Sequence, residues 1–369
     1  MTETEFPTPS PATSSPSVLF ITRAYPPIRG GMEKFSYDLT TSIAARTRTH
    51  ILANRHGKIF LPLFAFGAFL RALVNLPQYE ILHLGDPVLS GLAWILKHVQ
   101  HRPTAMTIHG LDILYPSPLY QRYLRRFLPS VDLYICISRY VEQTLRERFG
   151  LTRTIVIPPG IRDTFYRPGT TRSELTPILG SDPGARPILL TVARLVRRKG
   201  VTWFIGNVLP RLPEDILYVV VGDGPERVAA EEEARRHGVR ARVLFTGAVA
   251  EETLSLFYNA ADLFVMPNIL VEDDVEGFGL VALEAASCTL PVIASAVQGI
   301  VDAVFDGRNG VLVEAGDVTG YVTEIERLIQ DTTARKALGA HAREFTVSRF
   351  SWNIITQKYL DAFNHLRRL

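Results

Sequence analysis

Short apolar runs recur along the chain at Val18–Thr22, Thr49–Ala53, Ile81–Leu84, Thr104–Ile108, Leu133–Ile137 and Ile155–Ile157. Segments of helical period fill most of the gaps, and the clearest runs from Glu33 to about Ala45, with Phe35, Leu39 and Ile43 on one face. This alternation predicts a parallel sheet with helices on both sides. The pattern breaks over 166–187, where Pro, Gly, Ser and Thr cluster, and this stretch reads as a linker. A second series follows: Ile188–Val192, Leu217–Val221, Val243–Phe245, Leu263–Met266, Pro291–Ala294 and Val311–Val313. The expected architecture is α/β, with two Rossmann-like, doubly wound domains at 17–165 and 188–350. Their ligands should bind beyond the carboxyl ends of the strands, in a cleft where the two sets of strand ends face each other. Residues 351–369 are amphipathic and read as a helix closing onto the N-terminal domain.

The apolar stretch Ile59–Leu76 contains Pro62, Gly67 and Arg71, so it makes a poor membrane span. Its Leu63, Phe66, Leu70 and Leu73 fall at helical spacing and predict a core helix, with a membrane-surface helix as the alternative. Residues 1–16 are rich in Pro, Ser and Thr, lack an apolar run and read as a disordered tail, not a signal peptide. The two cysteines, Cys136 and Cys288, sit in apolar stretches. They predict buried thiols in a reducing, cytoplasmic setting, and no Cys/His spacing suggests a metal. Charge is unevenly spread. Residues 17–165 carry 18 Lys/Arg against 9 Asp/Glu, a net of +9, and 166–369 carry 22 against 26. A basic N-terminal half suits an anionic partner such as a phosphorylated lipid, an anionic glycan or a membrane surface. It also permits nucleic acid, but no aromatic-basic module of that kind is present.

Candidate chemistry gathers at strand ends. After the first strand comes Tyr25-Pro-Pro-Ile-Arg-Gly30-Gly31-Met-Glu33, a stiff loop whose glycines allow close backbone approach just before a helix. The fourth strand ends at His109-Gly110-Leu111-Asp112, placing a histidine where it can meet a sugar hydroxyl or a proton in transfer. The second domain opens with Arg194-Leu-Val-Arg197-Arg198-Lys199-Gly200. Arg194 and Lys199 are expected to neutralise a diphosphate, and Arg197 and Arg198 to face solvent or acceptor. Gly222-Asp223-Gly224-Pro225 reads as a tight turn. The most informative segment is Glu276-Gly-Phe-Gly-Leu-Val-Ala-Leu-Glu284, two carboxylates at the mouth and inside of one helix. The helix's open N–H groups suit a diphosphate, and a carboxylate suits sugar or ribose hydroxyls.

Together PPIRGGMEKF, HGLD, IPPGI, ARLVRRKG, VGDGPE, FTGAV and EGFGLVALEA resemble, in order and spacing, the retaining glycosyltransferases of family four, which have the GT-B architecture. The resemblance covers about Val18 to the end, and Glu276 and Glu284 match the family's E-x7-E motif. It implies that Gly30 and Gly31 approach the diphosphate and that His109 meets the transferred sugar. Arg194 and Lys199 would bind the diphosphate and stabilise the leaving group, and Glu276 would hold a sugar hydroxyl. The amides of Phe278 and Gly279, with Leu280, would add to phosphate binding, Glu284 would bind the ribose, and Val249 would lie beside the base. The chain departs from the family at Gln298-Gly-Ile-Val-Asp302, where Gly-Gly-x-x-Glu is frequent, and at Thr289, where a glycine usually closes the helix. The acidic lead-in Glu272-Asp-Asp-Val-Glu276 is similar to that of mannosyltransferases acting on phosphatidylinositol lipids, which implies GDP-mannose as donor ahead of a UDP-sugar.

The expected reaction is sugar transfer from a nucleotide diphosphate sugar to an acceptor hydroxyl, with no cofactor and no metal. Retention is implied by the resemblance, and without a secure enzymic nucleophile a same-face mechanism matches it. An epimerase or phosphorylase of the same architecture, or a nucleotide-sugar-binding subunit without turnover, remains open. The acceptor-binding residues are not legible.

Overall fold

A computed structural model describes residues 4–5, 15–28, 30–180 and 182–368. It divides into two compact units, 1–160 together with 352–369, and 161–351. Most of the tail expected at 1–16 lies outside the described residues.

The strands of the first unit are β1 (Thr4–Glu5), β2 (Val18–Thr22), β3 (Thr49–Ala53), β4 (Ile81–Leu84), β5 (Thr104–Ile108), β6 (Leu133–Cys136) and β7 (Thr154–Val156). They lie in the order β1-β3-β2-β4-β5-β6-β7, and all neighbours are parallel except β1 on β3. The chain runs from β2 outward to β3, then returns to place β4 on the other side of β2. The switch point of this sheet is therefore the β2/β4 seam. Val18–Ile21 and Ile81–Leu84 are fully or almost fully buried, as expected of parallel strands covered on both faces. The helix Gly31–Ala44 buries Phe35, Leu39 and Ile43. The helix Trp352–Arg367 belongs to the same core: Phe363, fully buried, packs on Phe20, His83 and Tyr359 with ring centroids 6.4, 5.7 and 5.9 Å away.

The second unit contains β8 (Ile188–Val192), β9 (Leu217–Val221), β10 (Val243–Gly247), β11 (Leu263–Met266), β12 (Val292–Ser295) and β13 (Gly310–Val313). Their order is β10-β9-β8-β11-β12-β13, all parallel, and the switch point is the β8/β11 seam. The α/β architecture expected from the alternating pattern is therefore present in both units.

Two expectations need correction. The helix Leu61–Asn75 forms, but it docks through Phe64, Ala68 and Ala72. The stripe expected in the core faces out instead, with Leu63 68% and Phe66 62% exposed and Leu70 also exposed. The helix is apolar all round, so its period could not say which face is inside. Leu61–Gln78 is also long and apolar enough, by length and composition alone, to cross a membrane. The stretch 166–187 is not a loose linker but part of the second unit, because its own polar groups tie it down. Arg172 pairs with Asp262, the Arg167 amide donates to Asn259 Oδ1 at 2.8 Å, and Thr171 and Glu174 form a capping box on the turn Arg172–Leu175.

Because Phe363 fills the core of the first unit, Phe363→Ala should cost about 3–5 kcal/mol of stability. Urea unfolding followed by circular dichroism should show a lowered midpoint with unchanged slope; an unchanged midpoint would remove this helix from the core.

Candidate functional site

In the second unit the loops leaving β8 and β11 meet across the switch point. The loop after β8 is braced by the next turn: Ala193 N donates to Val221 O at 3.0 Å, Leu195 N to Asp223 O at 2.9 Å and Glu226 N to Leu195 O at 3.0 Å. Gly222 makes this possible. Its φ is +122°, and a Cβ there would lie 1.9 Å from the Ala193 carbonyl oxygen. The turn read at Gly222–Pro225 therefore holds the Arg194 loop in place. Arg194 itself is exposed, and no described side chain pairs with it.

Lys199 points inward. Its Nζ pairs with Glu276 Oε2, which also accepts from Asn268 Nδ2 at 3.0 Å. Arg198 Nε lies 3.5 Å from the same oxygen, and Arg198 Nη1 pairs with Asp274 Oδ1 at 2.7 Å. Burial alone would push the Glu276 carboxyl up. The Lys199 charge, then the Arg198 charge, then hydrogen bonds from Lys199 and Asn268 outweigh it and hold Glu276 below the usual carboxylate range. The expectation that Arg198 faces solvent is thus corrected: it belongs to the ion cluster, whereas Arg197 is exposed. Adjacent cations in a sequence give no sign of which one turns inward. Asn268 carried no sequence signal either, because its role depends on a partner across a loop.

Glu276 is held at its backbone too. Its N–H donates to Gln298 Oε1 at 2.6 Å and its carbonyl accepts from Gly299 N at 3.1 Å. Gly279 starts the helix Leu280–Ser287 with φ +102°, so the amides of the Phe278–Leu280 stretch stand at its N-terminal end. The Phe278 side chain is buried against Phe350, and Val249 is half-buried in the loop after β10. Glu284, on the buried face of the helix, accepts from the Tyr258 hydroxyl at 3.0 Å. Burial and the Glu284 charge raise the Tyr258 pKa well above its ordinary value, so that hydroxyl stays a donor.

Both departures from the motif pattern sit in left-handed backbone: Thr289 at φ +62° and Gln298 at φ +46°. A glycine at either place would carry no Cβ penalty. Gln298 recovers part of that cost through its bond to Glu276; among the described residues Thr289 has no side-chain hydrogen-bond partner.

In the first unit, Gly30 precedes the helix Gly31–Ala44 with extended backbone, and a Cβ added at Gly31 would meet nothing within 4 Å. The fold itself does not demand glycine at 31, so close approach by something outside the chain is a consistent reason for it. His109 follows β5. Its Nε2 donates to the Gly85 carbonyl at 3.1 Å, which makes Nε2 the protonated nitrogen, and its ring meets Phe35 edge-on at 5.1 Å. Asp112 accepts from the His109 amide at 2.9 Å and the Gly110 amide at 2.8 Å. The structure thus brings Lys199 and Glu276 together, carries Leu280 and Glu284 on the adjoining helix with Phe278 and Gly279 at its mouth, and in the other unit sets His109 just past a strand end and Gly30 and Gly31 at a helix start. Among the described residues no group of three or more His, Cys, Asp or Glu is placed to hold a metal ion, and both cysteines are buried free thiols.

This arrangement can present fixed cations and helix-end amides to a diphosphate. Residues 18–165 match the family model "Glycosyltransferase Family 4", and residues 180–345 match "Glycosyl transferases group 1". A D-inositol 3-phosphate glycosyltransferase of Xylanimonas cellulosilytica is 35% identical, covering 77% of this chain and 72% of that protein. A GDP-mannose-dependent alpha-(1-6)-phosphatidylinositol monomannoside mannosyltransferase of Mycolicibacterium smegmatis is 27% identical over 91% of this chain and 95% of that one. Among solved structures, Anabaena Alr3699/HepE in complex with UDP and glucose superposes with a TM-score of 0.76 at 22% identity, covering 95% of this chain and all of that one.

Two outcomes follow from the geometry. Thr289→Gly should raise the thermal midpoint, a gain of roughly 1 kcal/mol, measured by calorimetry. Glu276→Gln should destabilise the fold by roughly 3 kcal/mol, because it strands Lys199 and Arg198. Since Glu276 has a depressed folded pKa, its contribution is fully present above its ordinary value of 4.5 and is lost as pH falls through the lower folded value. The midpoint difference between wild type and Glu276→Gln should therefore be steady near neutrality and shrink below about pH 4; a difference that grows on acidification would contradict the ion cluster.

Proposed function

We propose that this chain, which belongs to the family 4 glycosyltransferases, transfers mannose from GDP-mannose to a hydroxyl of an inositol-containing acceptor lipid, with retention and without a metal ion. That it is a hexosyltransferase acting on a nucleotide-sugar donor is established by the family; donor, acceptor, stereochemistry and metal independence are the proposal. The carrying observation is the loop pair across the β8/β11 seam, where Lys199 is locked on Glu276 and Arg194 is left exposed beside it in the chain. The relatives that name GDP-mannose and inositol-containing acceptors supply the substrate classes.

In the reaction the bond from the anomeric carbon to the donor phosphate breaks, and the acceptor oxygen forms the new bond on the same face. The acceptor's proton passes to the leaving diphosphate. Negative charge grows on that diphosphate in the transition state, and Arg194, Lys199 and the amides at the start of the Leu280–Ser287 helix are the groups that would meet it. Fixed cations do this without reorganising, which is the reason to expect no metal requirement. Glu276 is committed to Lys199, Arg198 and Asn268, so its role is to hold a sugar hydroxyl and keep Lys199 in place, not to attack the anomeric carbon.

The acceptor reading draws on the basic first unit and on the outward Leu63, Phe66 and Leu70, which suit the inner, anionic face of a membrane.

The test is incubation with GDP-mannose or UDP-glucose and phosphatidylinositol monomannoside in EDTA, with products followed by mass spectrometry. Mannosylated lipid from GDP-mannose is the expected result. A changed sugar nucleotide without acceptor would mark an epimerase, and released sugar phosphate a phosphorylase. Donor binding without turnover would mark an idle subunit. Arg194→Ala should lower kcat by roughly 100- to 1000-fold in a fully folded protein; near-normal turnover would remove Arg194 from the leaving-group site.

A further inference from the structure

The switch point of the first sheet is bridged by a charge pair that none of the motifs includes. Arg23, one residue past β2, donates from Nε to Asp86 Oδ1 at 2.9 Å, and Asp86 lies two residues past β4. Asp86 is fully buried, and its Oδ1 also accepts from the Val88 amide at 2.9 Å. Its other oxygen, Oδ2, is buried with no hydrogen-bond partner among the described residues. Arg23 uses only Nε in this pairing. Its side chain stays 18% exposed, and neither Nη group has a partner among the described residues.

The surroundings complete a site. His109 donates to the carbonyl of Gly85, the residue next to Asp86. The Tyr120 hydroxyl donates to the Asp112 carbonyl at 2.7 Å, and Arg23, Asp86 and Asp112 all act electrostatically on that hydroxyl. Tyr115, 63% exposed, meets Tyr120 edge-on with ring centroids 6.2 Å apart. A braced guanidinium with open donors and a buried, unpaired carboxylate oxygen therefore lie at the place where ligands of doubly wound sheets bind, and Tyr120, within the field of both, carries the exposed Tyr115 ring on its edge.

We propose that this cluster is a binding site for a neutral polyol ring of the acceptor, with Arg23 Nη groups donating to ring hydroxyls and the Tyr115 ring covering a C–H face. The ligand class follows from charge. Asp86 cancels the Arg23 charge, and the buried Asp112 carboxyl lies within its field, so the cluster offers no net positive charge to a phosphate dianion. Ring hydroxyls accept hydrogen bonds without carrying charge, which fits the open Nη donors of an Arg23 whose charge is already balanced. An exposed aromatic ring beside polar groups suits the apolar face of a sugar or cyclitol. A charged headgroup phosphate would have to be held elsewhere. The inference rests on the acceptor reading above, and it identifies Arg23 as a specificity-determining contact and Asp86 as the residue that positions it.

Saturation-transfer NMR on the full chain loaded with GDP tests this with methyl α-mannopyranoside, myo-inositol and inorganic phosphate as probes. At least one polyol should bind the wild type, and phosphate should not compete with it. Arg23→Gln should weaken polyol binding at least tenfold while leaving the affinity for GDP unchanged. Tyr115→Ala, a change on the surface that cannot threaten the core, should weaken polyol binding as well. Absence of polyol binding, displacement by phosphate, or wild-type affinity in both variants would overturn the site. Polyol binding without mannose transfer to phosphatidylinositol monomannoside would sink the proposed reaction but leave the site. Normal transfer without any polyol binding would do the reverse.

Discussion

A largely buried carboxylate held between two cations is the constraint on which the loop geometry at the second unit's switch point depends. Withdrawing Glu276 from water is costly, and the cost is met only because Lys199, Arg198 and Asn268 converge on one oxygen while the backbone of Glu276 is pinned by Gln298 and Gly299. Such a pair is weak evidence for stability but strong evidence for position: it joins the loop after β8 to the loop after β11 and leaves each cation one geometry. Lys199 is thereby fixed before any ligand arrives, so a developing charge would meet a cation that need not move.

The first unit repeats the device with different chemistry. Strands on either side of a switch point send their following loops apart, and the crevice left behind exposes polar groups that must be satisfied or used. In the second sheet the seam is closed by Lys199 and Glu276, with Arg194 nearby in the chain and exposed. In the first sheet it is closed by Arg23 and Asp86, with charges that cancel. Under the proposals above, the two seams favour different partners, an anionic group at one and neutral hydroxyls at the other.

The strands were readable from the sequence because parallel strands buried on both faces appear as unbroken apolar runs, and nearly all of them recur in the structure within a residue or two. The helix Leu61–Asn75 was readable as a helix but not by face, since apolar residues surround it and the docked side uses Ala68 and Ala72. The places of Glu276 and Gly279 at a helix mouth and of Lys199 in a loop after a strand were readable because those patterns are local, whereas the pairing of Lys199 with Glu276, 77 residues apart, was not. Arg23 with Asp86 was not, because the partners are 63 residues apart and neither lies in a motif. The 166–187 stretch looked like a linker by composition, and its hold on the second unit comes from single polar contacts such as Arg172 with Asp262 that composition does not reveal.

Under the proposed function, fixed cations at the β8/β11 seam bind a nucleoside diphosphate without help from a metal. Calorimetric titration of the full chain with GDP, UDP and ADP, in EDTA and again with magnesium, tests it most directly. GDP should bind clearly in EDTA, with little change on adding magnesium, and lose that binding in Lys199→Met. Binding that appears only with magnesium, or GDP affinity untouched by Lys199→Met, would contradict it.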